Sequence, residues 1–247
     1  MDGWTNAARS HLAADLDPRG SIFGQSTLLT GGHRLEMLAS EHLNGGIVMN
    51  ACDTATALTR ADASCLLSSH HAAIGRYLKS LMPTEVAVLH KAGLKLWLIF
   101  EEGEPVSTPY FSAAQGKSDA RRAVIQAQGL DIPHGKPIFF VVDYAPAPSD
   151  ETAILDYFQG VASEMASHPS PYGVGVYGTY TVMWWLWNDS RFNNEIRYWQ
   201  TEGNGSCGWV FPFNDLYQVN NMCNAHPVKS CGVSIDADYV LNTEVLW

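Results

Sequence analysis

Four acidic side chains, Asp53, Glu101, Asp143 and Asp236, each stand at the end of a short apolar run. The runs begin at Ile47, Leu94, Pro137 and Gly232. A carboxylate loses solvation at the end of a buried strand and gains nothing there unless something uses it. In a parallel α/β barrel the strand C-termini converge on one mouth, where such enzymes keep their chemistry. Acids from four separate strands would therefore meet in one cleft. Two chemistries suit such a group. A pair of carboxyls, one held protonated and one ionised, can cleave a glycosidic bond. Three or four ionised carboxylates can instead hold Mg²⁺ or Ca²⁺ for phosphodiester chemistry. No histidine stands at a strand end, so the sugar chemistry is preferred. Capping of neighbouring helices or pairing with Arg76 would explain one such acid better than four.

Side chains alternate faces along a strand. Asp143 then shares a face with Val141 and Phe139, Asp53 with Ala51 and Met49, and Asp236 with Ser234 and Gly232. Alternation does not choose between Glu101 and Glu102. Tyr177 and Trp199-Gln200 stand at the ends of two further strands, where they can stack on a sugar ring and bond its hydroxyls. Trp184, Trp185 and Trp187 read as helix packing on the barrel. No cofactor or metal is expected. Gly173 and Gly175 lie inside a strand rather than in a dinucleotide turn. His70, His71, His90, His134 and His168 show no ligand spacing, and no Cys-x-x-Cys pair exists.

The elements that must position these acids alternate. After the first strand come strands at Ala72–Tyr77, Leu94–Glu101, Pro137–Asp143 and Tyr172–Tyr177, with helices opening at Pro83, Ser118, Ser149 and Thr179. Glu195–Gln200, Asp215–Val219 and Gly232–Asp236 read as three more strands, joined by Gly, Asn, Pro and Cys without helical periodicity. Alternating β and α implies a parallel sheet with right-handed crossovers. The expected fold is an incomplete (β/α)8 TIM-like barrel, eight strands with helices after about the first five, over residues 46–247. Residues 1–45, rich in Gly, Ser, Ala and His with a short helix near His33–His42, read as an extension that could serve docking or delivery.

The 247-residue length suits one barrel, and 46% hydrophobic with 16% charged residues suits a large core. A net charge of −10 with no basic run argues against nucleic acid as partner. No apolar run approaches the ~20 residues of a membrane span, and Met1–Asn6 carries no basic or apolar export segment. The chain reads as made in the cytoplasm and acting in periplasm or wall only if a secretion apparatus delivers it. A delivery or inhibitor protein could bind through residues 1–45. The five cysteines form no disulfide framework. Buried free thiols are expected, with one bridge among Cys207, Cys223 and Cys231 as the alternative.

An ordered series runs along the chain: Arg76-Tyr77-Leu78, Ile99-Phe100-Glu101, Ala114-Gln115-Gly116 with Asp119-Ala120, Pro137 to Tyr144, Gly175-Val176-Tyr177-Gly178 and Trp199-Gln200. It resembles the bacterial glycoside-hydrolase-like domains long filed as a domain of unknown function. That family is similar to the family 25 lysozymes, muramidases with eight strands and five helices. The resemblance implies that Asp53 matches the acid of the first strand and Asp143 the first acid of the lysozymes' Asp-x-Glu motif. Asp236, followed by Asp238, matches the acid of the last strand. The second motif position holds Ala145, so the lysozymes' Glu is missing, and Glu101 matches the acid the glycoside-hydrolase-like family carries on its third strand. The implied activity is cleavage of a bacterial polysaccharide, most plausibly peptidoglycan. Glu101 would be general acid and Asp143 the stabilising or nucleophilic carboxylate, with Asp53 and Asp236 tuning them. Arg76, Glu102, Tyr144, Tyr177, Trp199, Gln200 and Asp238 are the candidate substrate contacts. A carbohydrate-binding barrel without turnover and a metal-dependent phosphodiesterase are the alternatives.

Overall fold

The computed structural model describes residues 48–167, 172–192, 196–206, 208–219 and 227–247. They belong to one compact unit beginning at His42, and the 1–45 extension lies outside the described residues. Five strand–helix units come first. They are β1 (Met49–Thr54) with α1 (Arg60–Ser68), β2 (Ala73–Tyr77) with α2 (Pro83–Ala92) and β3 (Lys95–Phe100) with α3 (Ala113–Gln128). Next come β4 (Pro137–Val141) with α4 (Glu151–Ser167) and β5 (Gly173–Gly178) with α5 (Tyr180–Asn188). Strands β6 (Ile196–Thr201), β7 (Leu216–Val219), β8 (Val228–Ser230) and β9 (Val233–Val240) follow, with no α-helix among the described residues between them.

Strands β1 to β7 pair in sequence order and in parallel. Strand β9 closes the barrel between β7 and β1, and it runs antiparallel to both. The eight-stranded incomplete TIM-like barrel is therefore present, with a correction to its last strand. A short hairpin partner, β8, turns the chain round before β9 enters the sheet. Asp236 is thus an interior residue of an antiparallel strand and not the end of a parallel one. Its Cα partner is Asp53, and that of Asp238 is Ala51.

Local signals set the helix ends. Thr59 caps α1 in a reciprocal box with Asp62, and Ser112 and Thr179 cap α3 and α5. Helix α3 starts at Ala113, five residues before the Ser118 the sequence suggested, because Ser112 supplies the cap. Ser149 lies in a 3₁₀ turn ahead of α4, where Asp150 and not Ser149 accepts the Ala147 N–H. Gly93 ends α2 at φ 99°, a left-handed conformation open to glycine.

Alternation divides the core in two. Ala51, Ala73, Trp97, Phe139, Trp199 and Leu216 fill the barrel interior. Ile74, Leu96, Phe100, Ile138, Phe140 and Val176 face the helices. A Cβ on Gly75 would lie 2.6 Å from the Trp97 ring, and one on Gly175 would lie 2.6 Å from Phe139. The strand glycines thus make room for interior rings. Trp184, Trp185 and Trp187 pack on the outer core.

The cysteine expectation is overturned. Cys65 of α1 is bonded to Cys231 in the β8–β9 turn across a separation of 166 residues, while Cys52 is free and buried. Cys207 and Cys223 lie outside the described residues. Spacing could not reveal this pair, since only the reversal at β8 returns Cys231 to α1. Among the described residues no helix is long and apolar enough to cross a membrane.

Candidate active site

Residues one apart on a strand face opposite sides and residues two apart share a side, so the inward set follows directly. In β3, Trp97 and Ile99 point inward and Glu101 continues their face. In β4, Phe139 and Val141 lead to Asp143. These acids meet Tyr77, Tyr177, Trp199, Asn204, Gln218 and Asp236 around a cleft of about 250 Å³ at the C-terminal mouth of the parallel strands. Trp199 forms part of its floor, edge-on to Tyr177 at 4.5 Å and to Trp97 at 5.7 Å.

Glu101 is half-buried with Lys79 Nζ 3.7 Å from its carboxylate, and Lys79 sits 5.4 Å from the Tyr77 ring centroid. Burial raises the Glu101 pKa, Lys79 opposes that, and Asp143 adds to it. Asn204 donates its side-chain amide to Asp143 Oδ1 at 3.1 Å. It does so from a left-handed backbone at φ 53°, followed by Gly205 at φ 86°. A Cβ on Gly205 would lie 3.8 Å from that of Ala145. The β6–β7 connection therefore rests over Ala145.

Below these groups lies a buried acidic pair. Asp53 accepts from the Gln218 amide at 2.8 Å and the Tyr77 hydroxyl at 3.4 Å, and Gln218 Oε1 accepts from Tyr177 at 2.7 Å. Asp238 Oδ1 accepts from Trp199 Nε1 at 2.9 Å, while its buried Oδ2 meets no donor. The carboxyls of Asp53 and Asp238 are within hydrogen-bonding reach of each other. One proton on Asp238, given to Asp53, satisfies the orphaned oxygen. Burial and then the Asp53 charge hold Asp238 well above the usual carboxylate range. Burial, and then Asp236, push Asp53 up to about 7 against the pull of its donors. Asp236 is raised by burial and by Asp143.

Asp238, a candidate substrate contact, is buried against Trp199 and does not line the cleft, and four other candidate contacts do not reach it either. Arg76 points to the helix layer, where its guanidinium pairs with Glu85 of α2 at 2.9 Å and bonds the Thr54 carbonyl. Glu102 accepts from Arg122 and Gln126 of α3. Tyr144 stacks on Phe111 and bonds Asp150 and Thr108. Gln200 holds the β6–β7 connection through Trp209, Phe211 and Asn214. Each of these four is the next residue along from one that faces inward or lines the cleft. Lys79, Asn204 and Gln218 are brought to the site unannounced. The signal for Gln218 was available, since it is an uncharged amide inside an otherwise apolar short strand.

A family model described as Rv2525c-like, glycoside hydrolase-like domain matches residues 64–240. The chain belongs to this family. Glu101, Asp143, Asp236 and Asp238 lie inside the matched segment and Asp53 before it. The glycoside hydrolase-like chain is 35% identical to the uncharacterized protein YbfG of Bacillus subtilis over 147 residues, which are 52% of this chain and 20% of YbfG. It is 28% identical to FadG of the same organism over 66% of its own length and 30% of FadG. It therefore spans less than a third of the curated relatives it matches. Among solved structures, the Tat-secreted protein Rv2525c of Mycobacterium tuberculosis in complex with HEPES aligns at TM-score 0.64 and 20% identity, over 78% of this chain and 96% of that one. The autolysin LytC of Streptococcus pneumoniae, in complex with a synthetic peptidoglycan ligand, aligns at 0.51 and 9% identity, over 78% and 46%. At those identities the likeness is one of fold.

Proposed function

We propose that the glycoside hydrolase-like barrel is a glycosidase of bacterial wall polysaccharide, with peptidoglycan as substrate. The observation that carries the reading is the convergence of Glu101 and Asp143 in one cleft, above the buried acids Asp53 and Asp238. In this reading Glu101, raised by burial, gives its proton to the glycosidic oxygen as the bond to the anomeric carbon breaks. Asp143, aimed by Asn204, faces the positive charge that develops on the sugar or bonds to it. Water then completes the hydrolysis and Glu101 is reprotonated. Tyr77, Tyr177 and Trp199 give the ring an aromatic surround. The test is incubation with purified sacculi, reading soluble fragments by mass spectrometry. Fragments with new reducing ends that vanish in Glu101→Gln support the reading; fragments that persist in Glu101→Gln remove Glu101 from it.

The second reading, a glycan-binding barrel without turnover, is favoured by Ala145 and by the closeness of Gly205 to it. It predicts saturable binding of glycan strands and no product from either protein. The site of action in both readings lies outside the cytoplasm. Support comes from the Cys65–Cys231 disulfide, a bond that persists in oxidising compartments. Delivery by a secretion apparatus, with residues 1–45 as its handle, is part of this proposal. Deleting 1–45 should then abolish export and leave the cleft's chemistry intact.

A further inference from the structure

A helix that packs on a barrel needs apolar side chains on its inner face, and large rings left partly open beside them want another reason. In α5 the inner face is Val182, Met183 and Leu186. Tyr180 and Trp184, one helical turn apart, are only partly covered, and their rings lie 8° from parallel with centroids 6.2 Å apart. Trp209, from the β6–β7 connection, leans on Tyr180 at 5.7 Å and is 39% exposed. Further along the helix Trp187 stacks on Phe213 of the same connection at 4.0 Å, and Phe213 is also 39% exposed. The result is an aromatic stripe shared by one helix and one loop.

The stripe starts at the rim of the cleft. Gly203 and Asn204 line the cleft, and two residues later Ser206 Oγ accepts the Tyr180 backbone N–H at 2.6 Å. Two residues cover no more than ~7 Å of chain. The Ser206 carbonyl also accepts the Trp209 N–H at 3.0 Å, which fixes the start of that turn beside Tyr180. The cleft itself, about 250 Å³, is smaller than the roughly 300–1,000 Å³ of pockets that enclose a whole drug-sized ligand. A polymer bound there has to leave across a rim. The C–H faces of sugar rings stack on aromatic side chains, which also offer the hydroxyls a Tyr O–H and Trp N–H. A phosphate-bearing partner gains nothing from five uncharged rings on a chain of net charge −10.

We propose that Tyr180, Trp184 and Trp209 form an outer glycan platform, on which rings of the polysaccharide stack once the strand has crossed the Gly203–Ser206 rim. The proposal rests on the glycan reading of the cleft. Titration calorimetry of the intact protein with β-1,4-linked N-acetylglucosamine dimer and hexamer tests it. The hexamer should bind about tenfold more tightly than the dimer, a difference of about 1.4 kcal/mol. Trp209→Ala should remove that gain while leaving dimer affinity and the thermal midpoint unchanged, and Trp209→Phe, which keeps a ring, should restore most of it. A hexamer gain that survives Trp209→Ala overturns the platform and leaves the cleft reading standing. Failure of the native protein to bind either oligomer, or peptide-free glycan strands, overturns both. A solution dimer that Trp209→Ala disperses overturns the platform as well, since the face then belongs to a second copy.

Discussion

Replacing Asp238 by Asn should stabilise the barrel at neutral pH and do almost nothing at pH 4. The side chain is fully buried, accepts from Trp199 through Oδ1, leaves its other oxygen without a donor, and is held well above the usual carboxylate range by burial and the Asp53 charge, so we read that oxygen as carrying a proton donated to Asp53. Asn reproduces that arrangement, with its carbonyl toward Trp199 and its amide donating to Asp53. A carboxyl that stays protonated in the fold while its unfolded counterpart ionises near 3.9 binds one more proton folded than unfolded. Stability then falls as pH rises, by about 1.36 kcal/mol per pH unit. Between pH 4 and pH 7 the loss reaches about 4 kcal/mol, an upper bound that Asn escapes. Asp53 contributes a further loss of the same sign between its unfolded value and about 7, and this one remains in the variant. Urea unfolding at pH 4, 5.5 and 7 measures the difference directly. Equal destabilisation at all three pH values would falsify the shared proton, because it would show Asp238 ionised in the native state.

Four further outcomes are expected. Lys79→Ala should move the alkaline limb of the pH–activity profile to higher pH, since Lys79 is the group that lowers Glu101 and a general acid works only while protonated; a limb that stays or moves down refutes the Glu101 assignment. Asn204→Gly keeps the left-handed backbone but removes the donor to Asp143, so turnover should fall about tenfold with little change in unfolding free energy, as for loss of one charge-assisted hydrogen bond; unchanged turnover removes Asn204 from the site. Cys65→Ser should cost about 4–5 kcal/mol by releasing a loop of 166 residues, visible as a lowered thermal midpoint that dithiothreitol reproduces in the native protein. Activity on sacculi should survive EDTA, and its abolition would restore the phosphodiester alternative.

The barrel was legible because strand and helix periods alternate through β5, and the loss of helical pattern after α5 announced the missing helices. The interior faces were legible too, as the line of Phe139, Val141 and Asp143 shows. What alternation could not give is strand direction, because a period of two reads the same both ways. The antiparallel β9 therefore stayed hidden, and with it the pairing of Asp53 with Asp236. The four misplaced contacts have one cause. Arg76 and Tyr144 entered with contiguous motif segments, Glu102 as the neighbour alternation left open beside Glu101, and Gln200 as the neighbour of Trp199, whereas a pleated strand delivers only every second residue to a face. Applied strictly, the alternation that put Gly75 and Tyr77 inward already sends Arg76 outward, toward Glu85. Asn204 carried no pattern at all, since a loop residue is placed by its left-handed turn and not by periodicity.

The reversal of β9 decides how charge is layered in this site. A parallel last strand would have left one acid at the mouth. The antiparallel one turns two inward at different depths, Asp236 level with Asp53 and Asp238 a step below it beside Ala51. Only the deeper acid is sealed under Trp199, and there a full charge would have no solvent to answer it. A proton held between Asp238 and Asp53 lowers the negative charge of the floor, below the rim where Glu101 and Asp143 line the cleft. Glu101 is raised by burial, lowered by Lys79 and raised again by Asp143, groups at the rim with it. Asp238→Asn should therefore shift stability with pH and leave the Glu101-limited limb of activity where it was. A limb that moves with Asp238 would make floor and rim one coupled acid system, and Glu101 could no longer be assigned as the sole proton donor.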